Sequence, residues 1–451
     1  MNNNVAGNPG TAASVTHAII TEPPKLDKPN PTEEIKLERT RNYSIIEGVA
    51  STVAGGFGES YVTAFAVAIN SSNTMISLLT AIPNLIGPIS QAFTPKMMEK
   101  YGRKGLVISG VFLQACMWLA IALIAFLFMN GFAYSPEILI LFYTIYAILG
   151  NFMSPAWTSW MGDIIPKNKG EYWAKRSVIC GTVGIVTTLA AGIFLDAFKN
   201  VNLMLSFAAI FVIAFFGRSV SSYLFTKHYE PKLKLPKGYY FSFMDFVKRM
   251  LKRNNNFGKY TAFIAMGIFA GNIAWPFIPV YMLRELHFDY TTFIIVTLTE
   301  SLATILTFGF WGKYVDRQGD LMALRIAGVG MCLIPILWAI SSNVYYLIAV
   351  QVFRGIIGAA FSIATTNYLF DAVTPQRRSL CSAYSAILTG IGVFFGAILG
   401  GVLLSFSFGI NAFVFVFLAA GIVRLFITII MLPSVKEVNK SAMILDGGNE
   451  K

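Results

Sequence analysis

Apolar runs of about twenty residues recur along this chain with little interruption, and that recurrence limits what it can fold into. Crossing ~30 Å of hydrocarbon takes roughly twenty apolar residues in a helix, far more than a half-buried surface helix needs. Only 13% of the 451 residues are charged and 55% are hydrophobic, against roughly 25% charged in soluble domains. A soluble enzyme is excluded. Runs fall at 44–69, 74–95, 105–130, 137–161, 176–198, 203–226, 258–283, 290–312, 321–341, 344–369, 380–406 and 410–432. The chain therefore reads as an all-α membrane protein with twelve transmembrane helices.

Lys and Arg orient those helices. The connectors at 96–104, 162–176, 227–259, 313–325 and 370–378 hold 22 of them, while the opposite connectors hold two, Lys199 and Arg284. That imbalance predicts a multi-pass protein of the cell membrane with both termini and the basic loops cytoplasmic. The net charge of +12 is thus an orientation signal, and no nucleic-acid partner is expected. Cys116, Cys180, Cys332 and Cys381 lie in or beside apolar runs without a CxxC, so they read as core residues. No cleavable signal peptide is expected ahead of the first run.

The predicted organisation has five parts. A disordered cytoplasmic tail (1–43) precedes a six-helix bundle (44–226). A cytoplasmic linker (227–257) leads to a second bundle (258–432) and a C-terminal tail (433–451). In the linker, Phe243, Met244, Val247, Met250 and Leu251 share one helical face, and Asp245, Lys248, Arg249, Lys252 and Arg253 the other. That pattern predicts an amphipathic helix on the inner membrane surface.

The two bundles repeat one another. Glu99-Lys100-Tyr101-Gly102-Arg103-Lys104 follows the second run, and Gly312-Lys313-Tyr314-Val315-Asp316-Arg317-Gln318-Gly319 follows the eighth, at an offset of 217. Asp163 after the fourth run matches Asp371 after the tenth, with Gly150 and Gly358 thirteen residues ahead of each. Arg218 and Arg424 stand near the inner ends of runs six and twelve. A parallel six-helix repeat accounts for all of these, giving two pseudo-symmetric bundles.

With these motifs, 44–432 resembles the major facilitator superfamily, whose signature loop reads G-x-x-x-D-R-x-G-R-R/K. Gly312, Asp316, Arg317 and Gly319 match it; in the first copy Glu99, Lys100, Gly102, Arg103 and Lys104 fit, but Pro95 replaces the glycine. The resemblance implies two bundles around a central cavity, solute bound near the midplane, and transport by alternating access. It also implies a cytoplasmic gate. Glu99 would face the start of span eleven near Arg377 and Arg378, and Asp316 the start of span five near Lys175 and Arg176. The family's drug–proton antiporters carry Arg in span four, where this chain has Tyr146; its Arg is in span ten, at Arg354. Their Gly-Pro pair in span five is also missing.

Ionisable groups inside a bilayer are costly and mark functional sites. Glu59, Glu300 and Arg354 fall near mid-depth, which makes them the proton and substrate candidates. A Glu300–Arg354 pair, direct or water-bridged, is expected; Glu59 has no basic partner at its depth. Glu47 reads as a membrane-edge residue, and Arg218 and Arg424 as structural. Asn84, Tyr146, Asn151, Trp157, Asn272, Trp275, Gln351 and Asn367 are the expected cavity lining, suited to hydroxylated solutes or to amphipathic ones. The expected function is a secondary transporter of a small organic solute, with protons as coupling ion. A facilitative uniporter and a transporter-like sensor are the alternatives. It would act as a monomer in the lipid bilayer. No phosphate-binding GxxxxGK[ST] is present, the three His residues lack partner motifs, and no cofactor, metal or enzymatic role is expected.

Overall fold

The computed structural model describes residues 31–165, 169–231, 243–251, 255–373, 378–406 and 411–437. Every membrane-crossing element is helical. Among the described residues, nine helices are long and apolar enough to cross a membrane unbroken, and a tenth is formed by a pair bent by 53°. The remaining crossings come from two breaks. The helix α1 (Pro31–Phe57) is interrupted at Gly58 and resumes as Val62–Ala68. One long helix, Lys169–Thr226, turns at Asn202, where the backbone leaves helical geometry, and so supplies both α5 and α6.

The other spans are α2 (Asn73–Gln91, bent into Thr94–Tyr101), α3 (Arg103–Met129) and α4 (Ser135–Ile164). In the second half they are α7 (Asn256–Ala274, continuing in short turns to Glu285), α8 (Tyr290–Gln318), α9 (Asp320–Trp338), α10 (Val344–Ala372), α11 (Arg378–Leu403) and α12 (Ala412–Met431). Twelve crossings return the chain to the end where it began, the terminal face; the opposite end is the far face.

The breaks have local causes. A Cβ on Gly58 would sit 2.6 Å from the Trp118 ring, so only glycine lets α3 approach α1 there. In α7, Pro276 removes a donor at the 3₁₀ turn Trp275–Phe277. Repeat symmetry shows in the backbone as well. Gly102 and Gly319, which end α2 and α8, have φ of 74° and 85°. Asn70 and His287, in the far-face turns after α1 and α7, have φ of 57° and 52°. Each pair is separated by 217 residues, so the predicted repeat is built into left-handed positions too.

The first half packs around Phe65, Trp118, Phe207 and Phe211, the second around Phe277, Trp338 and Phe417. Between halves, α2 lies along α11 and α5 along α8. At the far face, Asp196 accepts hydrogen bonds from the backbone N–H groups of Tyr290 (3.1 Å) and Thr291 (2.7 Å). Arg284 there donates to Ser71 O and to Asn73 Oδ1.

Two boundary expectations need correction. Helix begins at Pro31, well inside the tail predicted as disordered, because this stretch docks on the first bundle. Leu37 and Thr40 are buried, Arg41 Nε donates to Ile164 O, and Tyr229 N donates to Thr40 Oγ1. The linker helix spans Phe243–Met250, but Met244 and Leu251 are exposed. Its buried residue is Phe246, which packs with Phe243 against Tyr384 of α11. Protein, rather than the membrane surface alone, selects that face. Lys252 and Arg253 lie outside the described residues.

Candidate functional site

The 3₁₀ turn that follows the break in α1 starts at Glu59 and turns its side chain into the open. The Tyr146 hydroxyl on α4 donates to Glu59 Oε1. Tyr146 is fixed by the Trp118 ring (4.8 Å) and by Gln114, whose Nε2 donates to the Tyr146 carbonyl at 2.9 Å. Gln114 Oε1 in turn accepts from Arg218, which also donates to Ser51. A continuous hydrogen-bonded path therefore runs from Glu59 through α4 and α3 to α6. Arg218 is structural, as expected, but it also borders a cavity of about 290 Å³ with Glu47, Arg176 and Trp157.

Glu47 is not the edge residue that its position suggested. It is 2% exposed, pairs with Arg176 at 3.2 Å and accepts from Ser221 at 2.8 Å. Arg176 rests against the rings of Trp157 and Trp173. The helix α1 reaches back to Pro31, so Glu47 lies in its interior, enclosed by Arg176 of α5 and Ser221 of α6.

In the second half Arg354 and Glu300 form an ion pair at 2.7 Å, with side chains 16% and 24% exposed. The Arg354 guanidinium lies 3.1 Å from the Trp275 ring centroid, a cation–π contact. Arg354, Trp275, Asn84, Asn272 and Arg424 line a cavity of about 430 Å³, within the size range of small-molecule sites. The two halves meet here, since Asn84 comes from α2 and the others from α7, α10 and α12.

Repeat positions relate the two centres. Trp275 starts the 3₁₀ turn in α7 as Glu59 does in α1, and Arg354 stands at the position of Tyr146. In each half, then, the broken helix touches the same point of the fourth or tenth span. One contact is acid to phenol and the other is indole to guanidinium.

The other expected cavity residues divide. Asn151 accepts from Gln91 at 2.9 Å and ties α4 to α2. Gln351 is 2% exposed, its amide directed at Val296 O between α8 and α10, so it lies in the core rather than on the cavity. Asn367 is half-buried on α10 and lines none of the described cavities.

The loop motifs work mainly as helix junctions. Arg103 is fully buried, bonded to Asp163 Oδ2 (2.5 Å), Ser159 and Pro231 O. Lys104 Nζ donates to Thr226 O and His228 O, and Lys100 lies over Tyr101. Two residues that sequence reasoning missed cap the next helices. Glu230 Oε1 accepts from Arg103 N and Lys104 N; Glu437 accepts from Asp320 N and Leu321 N. They stand 207 residues apart, and the Arg218–Arg424 match, carried past the ends of spans six and twelve, comes within one residue of aligning them. Gly312 and Arg317 stand free on the last turns of α8. Asp316 is exposed and, among the described residues, has no ion pair; Lys175 is exposed and Arg176 is engaged by Glu47. Glu99 and Asp371 sit at the terminal-face ends of their helices, and Arg377 lies outside the described residues.

The model of the Major Facilitator Superfamily matches residues 45–271 and 260–444. The chain belongs to that superfamily. One curated relative, the multidrug resistance protein MdtG of Proteus mirabilis (strain HI4320), is 29% identical over 168 residues, 34% of this chain and 40% of that protein. The Ascochitine biosynthesis cluster MFS transporter of Didymella fabae is 28% identical over 120 residues, 26% of this chain and 23% of that one. The chain thus spans less than half the length of either relative. Among solved structures, the nucleoside transporter NupG superposes with a TM-score of 0.64 at 14% identity, covering 88% of this chain and 99% of that one. A bacterial homolog of the human lysosomal transporter Spinster, inward-facing and unoccupied, gives 0.61 at 15% identity, covering 90% and 96%. The family match and these superpositions give the chain the superfamily's fold and its multi-pass membrane architecture.

Proposed function

We propose that the chain is a secondary transporter moving a small organic solute by alternating access, with Glu59 as the proton carrier. The terminal face lies in the cytoplasm of a cell-membrane protein, as the 22-to-2 basic distribution predicts. The observation that carries the proton assignment is a difference between Glu47, Glu59 and Glu300. Glu47 is paired with Arg176 and Glu300 with Arg354, whereas Glu59 is held by a neutral phenol. Protonating either paired acid strands a guanidinium in a low-dielectric interior. Glu59 has no guanidinium partner to strand, and it lies beside the break in α1 at Gly58.

Hydrogen bonds across the halves at the far face, together with an Asp316 that makes no ion pair among the described residues, support an inward-facing arrangement, the charge motifs closing the cytoplasmic side in the other state. The test is a pair of assays in proteoliposomes, using a solute found by thermal-shift screening. Glu59→Gln should retain counterflow exchange but lose accumulation driven by a proton gradient. Accumulation equal to the parent's would remove Glu59 from the role and favour facilitated diffusion.

A further inference from the structure

The two repeat-related arginines, Arg218 and Arg424, are treated differently by their surroundings. Arg218 is satisfied from within the chain by Gln114 and Ser51. Counting along the repeat, Met331 stands at the position of Gln114, and Gly267 and Ile268 flank that of Ser51. None of these side chains offers an oxygen acceptor. Accordingly Arg424, among the described residues, makes no ion pair, and its guanidinium lies against Gly271, where a Cβ would come within 2.7 Å of Nη1. It opens into the 430 Å³ cavity that also holds Arg354 and is within electrostatic reach of it.

Charge accounting then points one way. Glu300 neutralises Arg354, and no acid lining the cavity neutralises Arg424. An uncompensated guanidinium at this depth is costly, and it gains most from a ligand that brings its own negative charge. Trp275, which carries Arg354 against its ring, remains 39% exposed in the same cavity and offers a surface for a ring, and Asn84 and Asn272 supply amide groups. We infer that this cavity binds small organic anions, a carboxylate or phosphate group at Arg424 with the organic portion against Trp275. This rests on the transporter reading and names the class of solute it carries.

The full chain, purified in detergent without added anionic lipid, is titrated calorimetrically with benzoate, phenyl phosphate, benzyl alcohol and benzylamine. At least one anion should bind about tenfold or more tightly than the alcohol, since hydrogen bonds to charged groups are worth that much. Comparison of benzoate with phenyl phosphate separates the two anionic groups. Arg424→Gln should abolish the preference and Arg424→Lys should keep part of it. Should Arg424→Gln fail to fold, Met331→Gln tests the same idea with the charge retained. It gives Arg424 an internal acceptor like that of Arg218, so it should raise the melting temperature and weaken anion binding. Equal binding of neutral and anionic compounds, no anion binding, or anion binding unchanged in these variants overturns the inference. Absence of counterflow for an anion that does bind would instead strike at transport itself and leave the binding site standing.

Discussion

At the residue scale, the Glu300–Arg354 pair was legible because two ionisable groups of opposite sign at equal depth have few other ways to coexist in a bilayer. Removing one partner should therefore cost more than removing both. Arg354→Ala strands Glu300 and uncovers Trp275; breaking a buried pair costs about 3–5 kcal/mol, and the pair's partial exposure places this case near the lower figure. Yield and melting temperature should fall in Arg354→Ala and recover in part in Glu300→Gln/Arg354→Gln. A double variant no better than the single one would argue against a pair. His228, just beyond α6, offers a pH readout. It is enclosed by Trp160 and Phe225, with Nδ1 2.8 Å from Leu224 O, and burial pushes its pKa down to about 4 from 6.5. The fold thus favours the neutral ring. The stability it contributes is complete above about pH 6.5 and is lost as pH falls from there towards 4. Melting temperatures at pH 7.5 and pH 5 should differ less in His228→Gln than in the parent. Glu47 illustrates what one sequence conceals: its depth depends on where α1 starts, and charged residues at 33–41 disguise a docked helix as a tail.

Elements carry the second lesson. Spans were readable from hydrophobic length alone, yet their junctions were not, because a lone carboxylate outside a span looks the same whether it orients the chain or caps a helix. Glu437 lies in the stretch read as a C-terminal tail, and only tertiary contact brings it to the amides of Asp320 and Leu321. An acid at a helix N-terminus contributes about 0.3–1 kcal/mol, up to about 2 in partly buried settings. Glu437→Ala should raise hydrogen exchange at the first turn of α9 several-fold and leave α3, capped by Glu230, unchanged. Equal exchange in the two proteins would deny it a capping role. The linker helix follows the same logic: its amphipathic pattern was visible, but which apolar residues turn inward was decided by Tyr384.

For the whole molecule, the repeat was the most productive feature of the sequence, because offsets of 217 and 208 could be read without knowing any contact. What the repeat cannot supply is the difference between halves, which lies in the chemistry at matched positions such as Tyr146 and Arg354. It also leaves open which motif is engaged in a given conformation. Because Asp316 makes no ion pair among the described residues, Asp316→Asn should leave this arrangement intact and weaken the alternative one by about 0.3–1 kcal/mol. Spin labels at Lys100 and Lys313 should then report a larger share of the long distance in the variant; an unchanged distribution would count against a gate. The far-face clasp bears on timing. Asp196 holds two backbone donors of the first turn of α8, one on each carboxylate oxygen. Opening on that side has to break both bonds and let water take their place. On the alternating-access reading, the interval between successive swings of the bundle then depends on contacts far from the solute, Asp196 on α8 and Arg284 on Ser71 and Asn73, which act as an escapement whose strength sets the beat.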